Sequence, residues 1–83
     1  STPAGRLAAS YLLAVLEGDR RQAGALVVEA VASGRLSVRE AYLDVLRPAQ
    51  AELGRLWHAG ELTVGEERFA TATTASVMSQ LYP

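Results

Sequence analysis

A repeated punctuation mark constrains this chain more than any other feature. Gly18, Gly34 and Gly60 are each followed within three residues by a short polar residue, with Glu or Gln three positions further on: Asp19-Arg20-Arg21-Gln22, Ser37-Val38-Arg39-Glu40 and Thr63-Val64-Gly65-Glu66. Glycine accepts the left-handed turn that ends a helix. The polar side chain then accepts from an early backbone N–H of the next helix, while the acid or amide reaches back. The sequence therefore divides into four helical segments. The first is predicted from about Pro3 to Glu17, with Pro3 near the first turn, where a missing N–H costs nothing. The second runs from Asp19 to about Ser33-Gly34, the third opens at Ser37 and stops near Gly60, and the fourth opens at Thr63. Ser1 to Gly5 reads as a linker or cloning remnant, and Pro83 discourages further helix. Short connections make antiparallel neighbours, so the expectation is an all-α, antiparallel up-down four-helix bundle spanning residues 1–83.

Apolar residues at steps of three and four give each segment an inward face. Leu7, Tyr11, Leu12 and Val15 form the first stripe, widened by Leu13 and Leu16, with the Tyr11 hydroxyl at the rim. Ala23, Leu26, Val27, Ala30 and Val31 form the second, leaving Arg20, Arg21, Gln22 and Glu29 outward. Tyr42, Val45, Leu46, Ala49, Leu53, Leu56 and Trp57 form the third, interrupted by Pro48, which lacks the N–H that would bond to Asp44 and so predicts a kink. In the fourth, the small run Ala70 to Ser76 permits deep, close packing, and Phe69, Val77, Met78 and Leu81 supply larger groups.

Composition excludes several classes of function. The eight basic residues are all arginine, nearly balance nine acids and form no basic tract. Direct nucleic-acid contact is not expected. The chain has no cysteine, hence no disulfide or thiolate metal site. Its longest apolar stretch, Tyr11 to Leu16, is far short of the ~20 residues of a membrane span. A cytoplasmic, non-membrane protein is the expectation. At 83 residues the domain is close to the size at which a partner or ligand contributes to stability. No catalytic constellation is present, and the chain is not expected to be an enzyme.

The chemistry gathers at the turn between the third and fourth segments. Trp57 lies on the last turn before Gly60, and Val64 and Glu67 lie on the first turns after it. On spacing alone Trp57 reads as a core anchor and Glu67 as an acid favoured by the start of a helix.

Leu46-Arg47-Pro48-Ala49, Leu53-Gly54-Arg55-Leu56-Trp57, Gly60-Glu61 and Glu66-Glu67 resemble the helical cap of cobalamin-binding modules. Trp57, nine intervening residues and Glu67 are most similar to the light-sensing, adenosylcobalamin-dependent transcription regulators. The resemblance implies that Trp57 covers the adenosyl group on the upper face of the corrin, that Val64 packs beside it and that Glu67 accepts from the ribose hydroxyls. It also implies that His58, directly after Trp57, is a metal ligand that can reach cobalt once the adenosyl group has left, since imidazole offers a neutral nitrogen near pH 7. Arg68 stands where the family motif has histidine and completes the expected cofactor-binding set of Trp57, Val64, Glu67 and Arg68. A guanidinium neither titrates near neutral pH nor ligates cobalt. It can instead pair with Glu67 or Glu66, or contact a neighbouring subunit, which places a homo-oligomer among the expected partners.

The same resemblance implies a following α/β corrinoid-binding domain in a longer protein, without which adenosylcobalamin is not held. Two further readings compete with the photoreceptor cap. One is the cap of a corrinoid methyl-transfer protein, and the other is a stand-alone helical interaction module that has lost its cofactor.

Overall fold

Local hydrogen bonding cuts the chain where the punctuation places the cuts. A computed structural model describes Thr2 to Tyr82, and expectations for Ser1 and Pro83 lie outside the described residues. Helix α1 spans Pro3–Leu16 and begins at Thr2, whose hydroxyl accepts from the Gly5 N–H at 2.9 Å. Helix α2 spans Arg20–Ala32 behind Asp19, which accepts from the Gln22 N–H at 3.0 Å. Of the box expected there, the Asp19 half is formed.

The third helix, α3, is one continuous run in three pieces, an α-turn Val38–Glu40, a π-helical segment Ala41–Leu46 and an α-helical segment Arg47–His58. Helix α4 spans Val64–Leu81. The boxes at Ser37 and Thr63 are complete. Ser37 Oγ accepts from the Glu40 N–H at 3.0 Å while Glu40 accepts from the Ser37 N–H at 2.9 Å, and Thr63 and Glu66 repeat the exchange at 3.0 and 2.8 Å.

The end of α3 shows why Gly60 is needed. Its φ is +73°, its N–H donates to Trp57 and the Glu61 N–H donates to Leu56, which closes the last carbonyls of the helix. Gly18 and Gly34 close α1 and α2 with the same pair of bonds. Near Pro48 the ladder widens. The Arg47 N–H reaches back to Tyr42, five residues away, across the π-helical turn. Proline has no N–H and its ring crowds the carbonyl four residues before it. A wider turn relieves that crowding and lets the helix continue, so the irregularity at Pro48 takes the form of a π segment.

Helix directions follow from which ends meet. The first turns of α1, from Thr2 to Gly5, share a cleft with Leu36, Glu40 and Asp44 at the start of α3. At the other end, the Arg20 guanidinium, on the first turn of α2, lies over the Phe69 ring, 5.8 Å from its centroid. Thus α1 runs with α3, α2 runs with α4, and the pairs oppose one another. Helix α1 packs most broadly against α2 and α3, and α4 leans on α2, with only thin contact to α3. The antiparallel α3–α4 hairpin is consequently splayed, and α1 lies behind the opening.

Tyr11, Val27, Val45, Leu46 and Val77 are fully buried at the centre. Each full burial of such a side chain contributes roughly 1.5–3 kcal/mol. The predicted stripes hold for α2, where Ala23, Val27 and Ala30 are buried and Leu26 and Val31 pack against them. Four expectations are corrected. The Tyr11 hydroxyl is not at the rim but buried with its ring, 2.8 Å from Thr74 Oγ1, because α4 packs over it. Leu13 and Leu16 do not widen the α1 stripe, because no neighbouring helix covers that side, and Leu13 is 60% exposed. Tyr42 and Trp57 lie at the edges of the α3 stripe and are exposed, since α4 does not close over them. The small run of α4 is not deep in the bundle. Only Ala70 and Thr73 from it are buried, while Thr71, Ala72, Ala75 and Ser76 are exposed. Among the described residues, no helix is long and apolar enough to cross a membrane.

Candidate functional site

The splayed hairpin leaves a groove along α3 and α4. Its upper part is a depression of about 80 Å³ lined by Gln50, Leu53, Gly54, Trp57, Leu62, Glu67, Ala70 and Thr71. Its lower part, about 330 Å³ and almost wholly apolar, is lined by residues that include Tyr42, Leu46, Arg47, Gln50, Thr74 and Met78. Gln50 and Thr71 line both parts. The wall on the α3 side is residues 42, 46, 47, 50, 53, 54 and 57, which recur at helical spacing along one side of α3.

Trp57 is 40% exposed, the decisive number for this residue. A core anchor of this size is expected to lose nearly all of its solvent contact. Leu53, one turn earlier, is buried, so the chain turns its apolar face inward up to Trp57 and there presents an indole at the rim. Glu67 is half-buried on the first turns of α4 and accepts from the Thr71 hydroxyl at 3.1 Å. That bond steadies one carboxylate oxygen and leaves the other lone pairs available. Trp57 and Glu67, ten residues apart in the chain, therefore line one depression because the Gly60 turn folds α4 back beside α3.

The remaining predicted residues stand around this pair. Val64 is 54% exposed on the first turn of α4 and does not line the depression. His58 and Arg68 are exposed and also outside its lining. His58 is the last residue of α3. Arg68 forms no ion pair with Glu66 or Glu67, and the one ion pair among the described residues joins Arg55 to Glu52 at 2.6 Å on the outer face of α3. Glu66 is instead occupied by the Thr63 N–H at the helix start. No group of three metal-ligating side chains occurs among the described residues.

Sequence reasoning did not single out Gln50, Thr74 or Tyr42 as site residues. Gln50 carried a usable signal, being an uncharged polar residue two helical turns before Trp57, between the apolar positions Leu46 and Leu53 of the same stripe. Thr74 carried none within its own small-residue run.

The B12 binding domain family model matches residues 7–82, almost the whole chain. The chain belongs to the B12 binding domain family. No curated protein and no solved structure matches it. As a B12 binding domain of this helical type it is a cobalamin-binding cap module, and its cofactor class is a cobalamin. Enclosed ligand pockets occupy about 300–1,000 Å³. The two parts of this groove, about 80 and 330 Å³, are open to solvent and form a shallow surface, not an enclosed pocket. The exposed indole supplies flat apolar cover, and Glu67 beside it supplies acceptors for hydroxyl groups.

Proposed function

We propose that this cap module covers the upper, adenosyl-bearing face of a cobalamin in a light-responsive regulator or sensor, together with an α/β corrinoid-binding domain. The observation that carries the reading is the 40% exposed Trp57 at the rim of a depression it shares with Glu67. In this reading Trp57 stacks over the nucleoside and excludes water, Val64 packs at its edge, and Glu67 accepts from the ribose hydroxyls. The bound adenosylcobalamin supplies a light-labile cobalt–carbon bond. His58, on the turn that also carries Trp57, provides a nitrogen donor for the upper face after the nucleoside leaves.

The module works by binding, not by catalysis. Loss of the nucleoside removes contacts that favour one packing of the bundle against the α/β domain, and the population moves to another packing. Arg68, exposed and unpaired with either neighbouring acid, is free to meet the partner domain or a second copy. A cytoplasmic setting belongs to the same proposal. A broad indole suits a nucleoside better than a methyl group, which favours the sensor over a methyl-transfer cap.

The test is a visible absorption spectrum of the cap joined to its α/β domain, loaded with adenosylcobalamin in the dark, before and after green illumination. A light-dependent change whose final spectrum is altered by His58→Ala supports the reading. A bound but light-inert cobalamin overturns the sensor in favour of the methyl-transfer cap, and absence of binding leaves a helical interaction module.

A further inference from the structure

We propose that Gln50 is a specificity-determining residue that hydrogen-bonds the purine of the upper ligand and is held in register by a chain from buried Tyr11 through Thr74. The inference rests on the cobalamin-cap reading and names a contact within it.

Gln50 is exposed and lines both parts of the groove, two turns along α3 from Trp57. Its carbonyl Oε1 accepts from the Thr74 hydroxyl of α4 at 3.2 Å. Thr74 Oγ1 is in turn 2.8 Å from the Tyr11 hydroxyl of α1. A threonine hydroxyl has one hydrogen, and here it is given to Gln50. The phenol must therefore donate to Thr74, and with Tyr11 fully buried its hydroxyl has no solvent alternative. The chain thus has a direction, Tyr11 to Thr74 to Gln50, and ties three helices together behind the groove.

This direction places the amide oxygen of Gln50 against Thr74 and leaves the amide NH₂ with two donors and no partner among the described residues. Oε1 also keeps a second lone pair. A glutamine amide with a free donor edge and acceptor capacity matches adenine, whose ring nitrogen accepts and whose exocyclic amine donates. The other two groups a nucleoside requires line the same depression, the Trp57 face for stacking and the Glu67 carboxylate for sugar hydroxyls. A methyl or hydroxyl upper ligand carries no purine edge to pair with Gln50, so this residue distinguishes the adenosyl form from smaller ones. Thr74 acts as a positioning residue through Gln50.

The experiment is a dark spectroscopic titration of the cap with its α/β domain, using adenosylcobalamin and methylcobalamin as the two probes. Gln50→Leu removes the amide at an exposed position, and its folding is verified by circular dichroism. It is expected to raise the Kd for adenosylcobalamin about tenfold, the size of one or two lost net hydrogen bonds. The Kd for methylcobalamin is expected to change less than about twofold, within the ±0.5 kcal/mol of an ordinary surface substitution. Thr74→Val is expected to shift the same ratio in the same direction, by less. Equal weakening of both probes, or no change in either, overturns the assignment of Gln50 while the cap reading stands. Wild-type protein that binds neither probe overturns the cap reading, and this proposal with it.

Discussion

Replacing Tyr11 by Phe and Thr74 by Val, singly and together, measures the buried end of the chain that supports the groove. Tyr11 is fully buried and its hydroxyl lies 2.8 Å from Thr74 Oγ1. Tyr11→Phe removes one hydrogen bond but leaves Thr74 its bond to Gln50, so the expected cost is about 1 kcal/mol. Thr74→Val is worse, because the phenolic hydrogen is left without its acceptor, at about 1–3 kcal/mol. The double variant leaves neither polar group behind, and its cost should fall short of the sum by about 1 kcal/mol.

For a domain of 60–100 residues each kcal/mol moves Tm by about 4–8 °C, so these differences are well within reach of thermal and urea unfolding followed by far-ultraviolet circular dichroism. An independent check comes from pH. Burial pushes the Tyr11 phenol above its ordinary value of 10.0. The folded chain therefore holds this proton more tightly than the unfolded chain. The resulting stability is complete below about pH 10 and is lost as pH rises through the higher folded value. Tyr11→Phe should flatten that alkaline loss. Additive single costs, or an alkaline slope unchanged in Tyr11→Phe, would refute the buried chain as described.

Two glycines on the α3 side of the hairpin are expected to respond oppositely to alanine. Gly60→Ala meets no atom within 4 Å but must hold φ at +73°, so unfolding midpoints should show a loss of about 1–2 kcal/mol. Gly54→Ala, inside the helix and equally unobstructed, should stabilise by about 0.5–1 kcal/mol while its methyl narrows the depression beside Trp57 and raises the Kd for adenosylcobalamin. A tighter-binding Gly54→Ala would argue that the groove is not the ligand face. The helix start at Ser37 should be acid-sensitive: bonds from the Ser37 backbone and hydroxyl hold the Glu40 carboxyl below its ordinary 4.5. Its contribution is complete above that value and is lost as pH falls through the lowered one, so Glu40→Gln should show a smaller acid-induced drop in helicity than the wild type.

Trp57 illustrates how far the sequence reaches. Its place at the end of a helix, level with the start of the next, is legible from Gly60, Thr63 and Glu66, and its pairing with Glu67 follows from the turn. Its exposure is not legible. Helical spacing assigned Trp57 and Tyr42 to the same apolar stripe as Val45, Leu46 and Leu53, although the last three are buried and the first two are not. Leu13 and Leu16 were misplaced for the same reason. A period of 3.6 residues shows which side chains share a face, but not how wide a strip of that face another helix covers.

What the sequence alone determined is therefore what short-range chemistry decides: four helices, their starts near Pro3 and at Asp19, Ser37 and Thr63, their glycine stops and the disturbance around Pro48. Each involves a hydrogen bond or steric contact between residues no more than five or six apart. The tertiary structure alone decided that α4 leans on α2 more than on α3, and so opened the groove. It also joined Gln50 to Thr74 across 24 residues and Thr74 to Tyr11 across 63. Those bonds depend on packing shared among three helices at once, and no local pattern in any one of them encodes it.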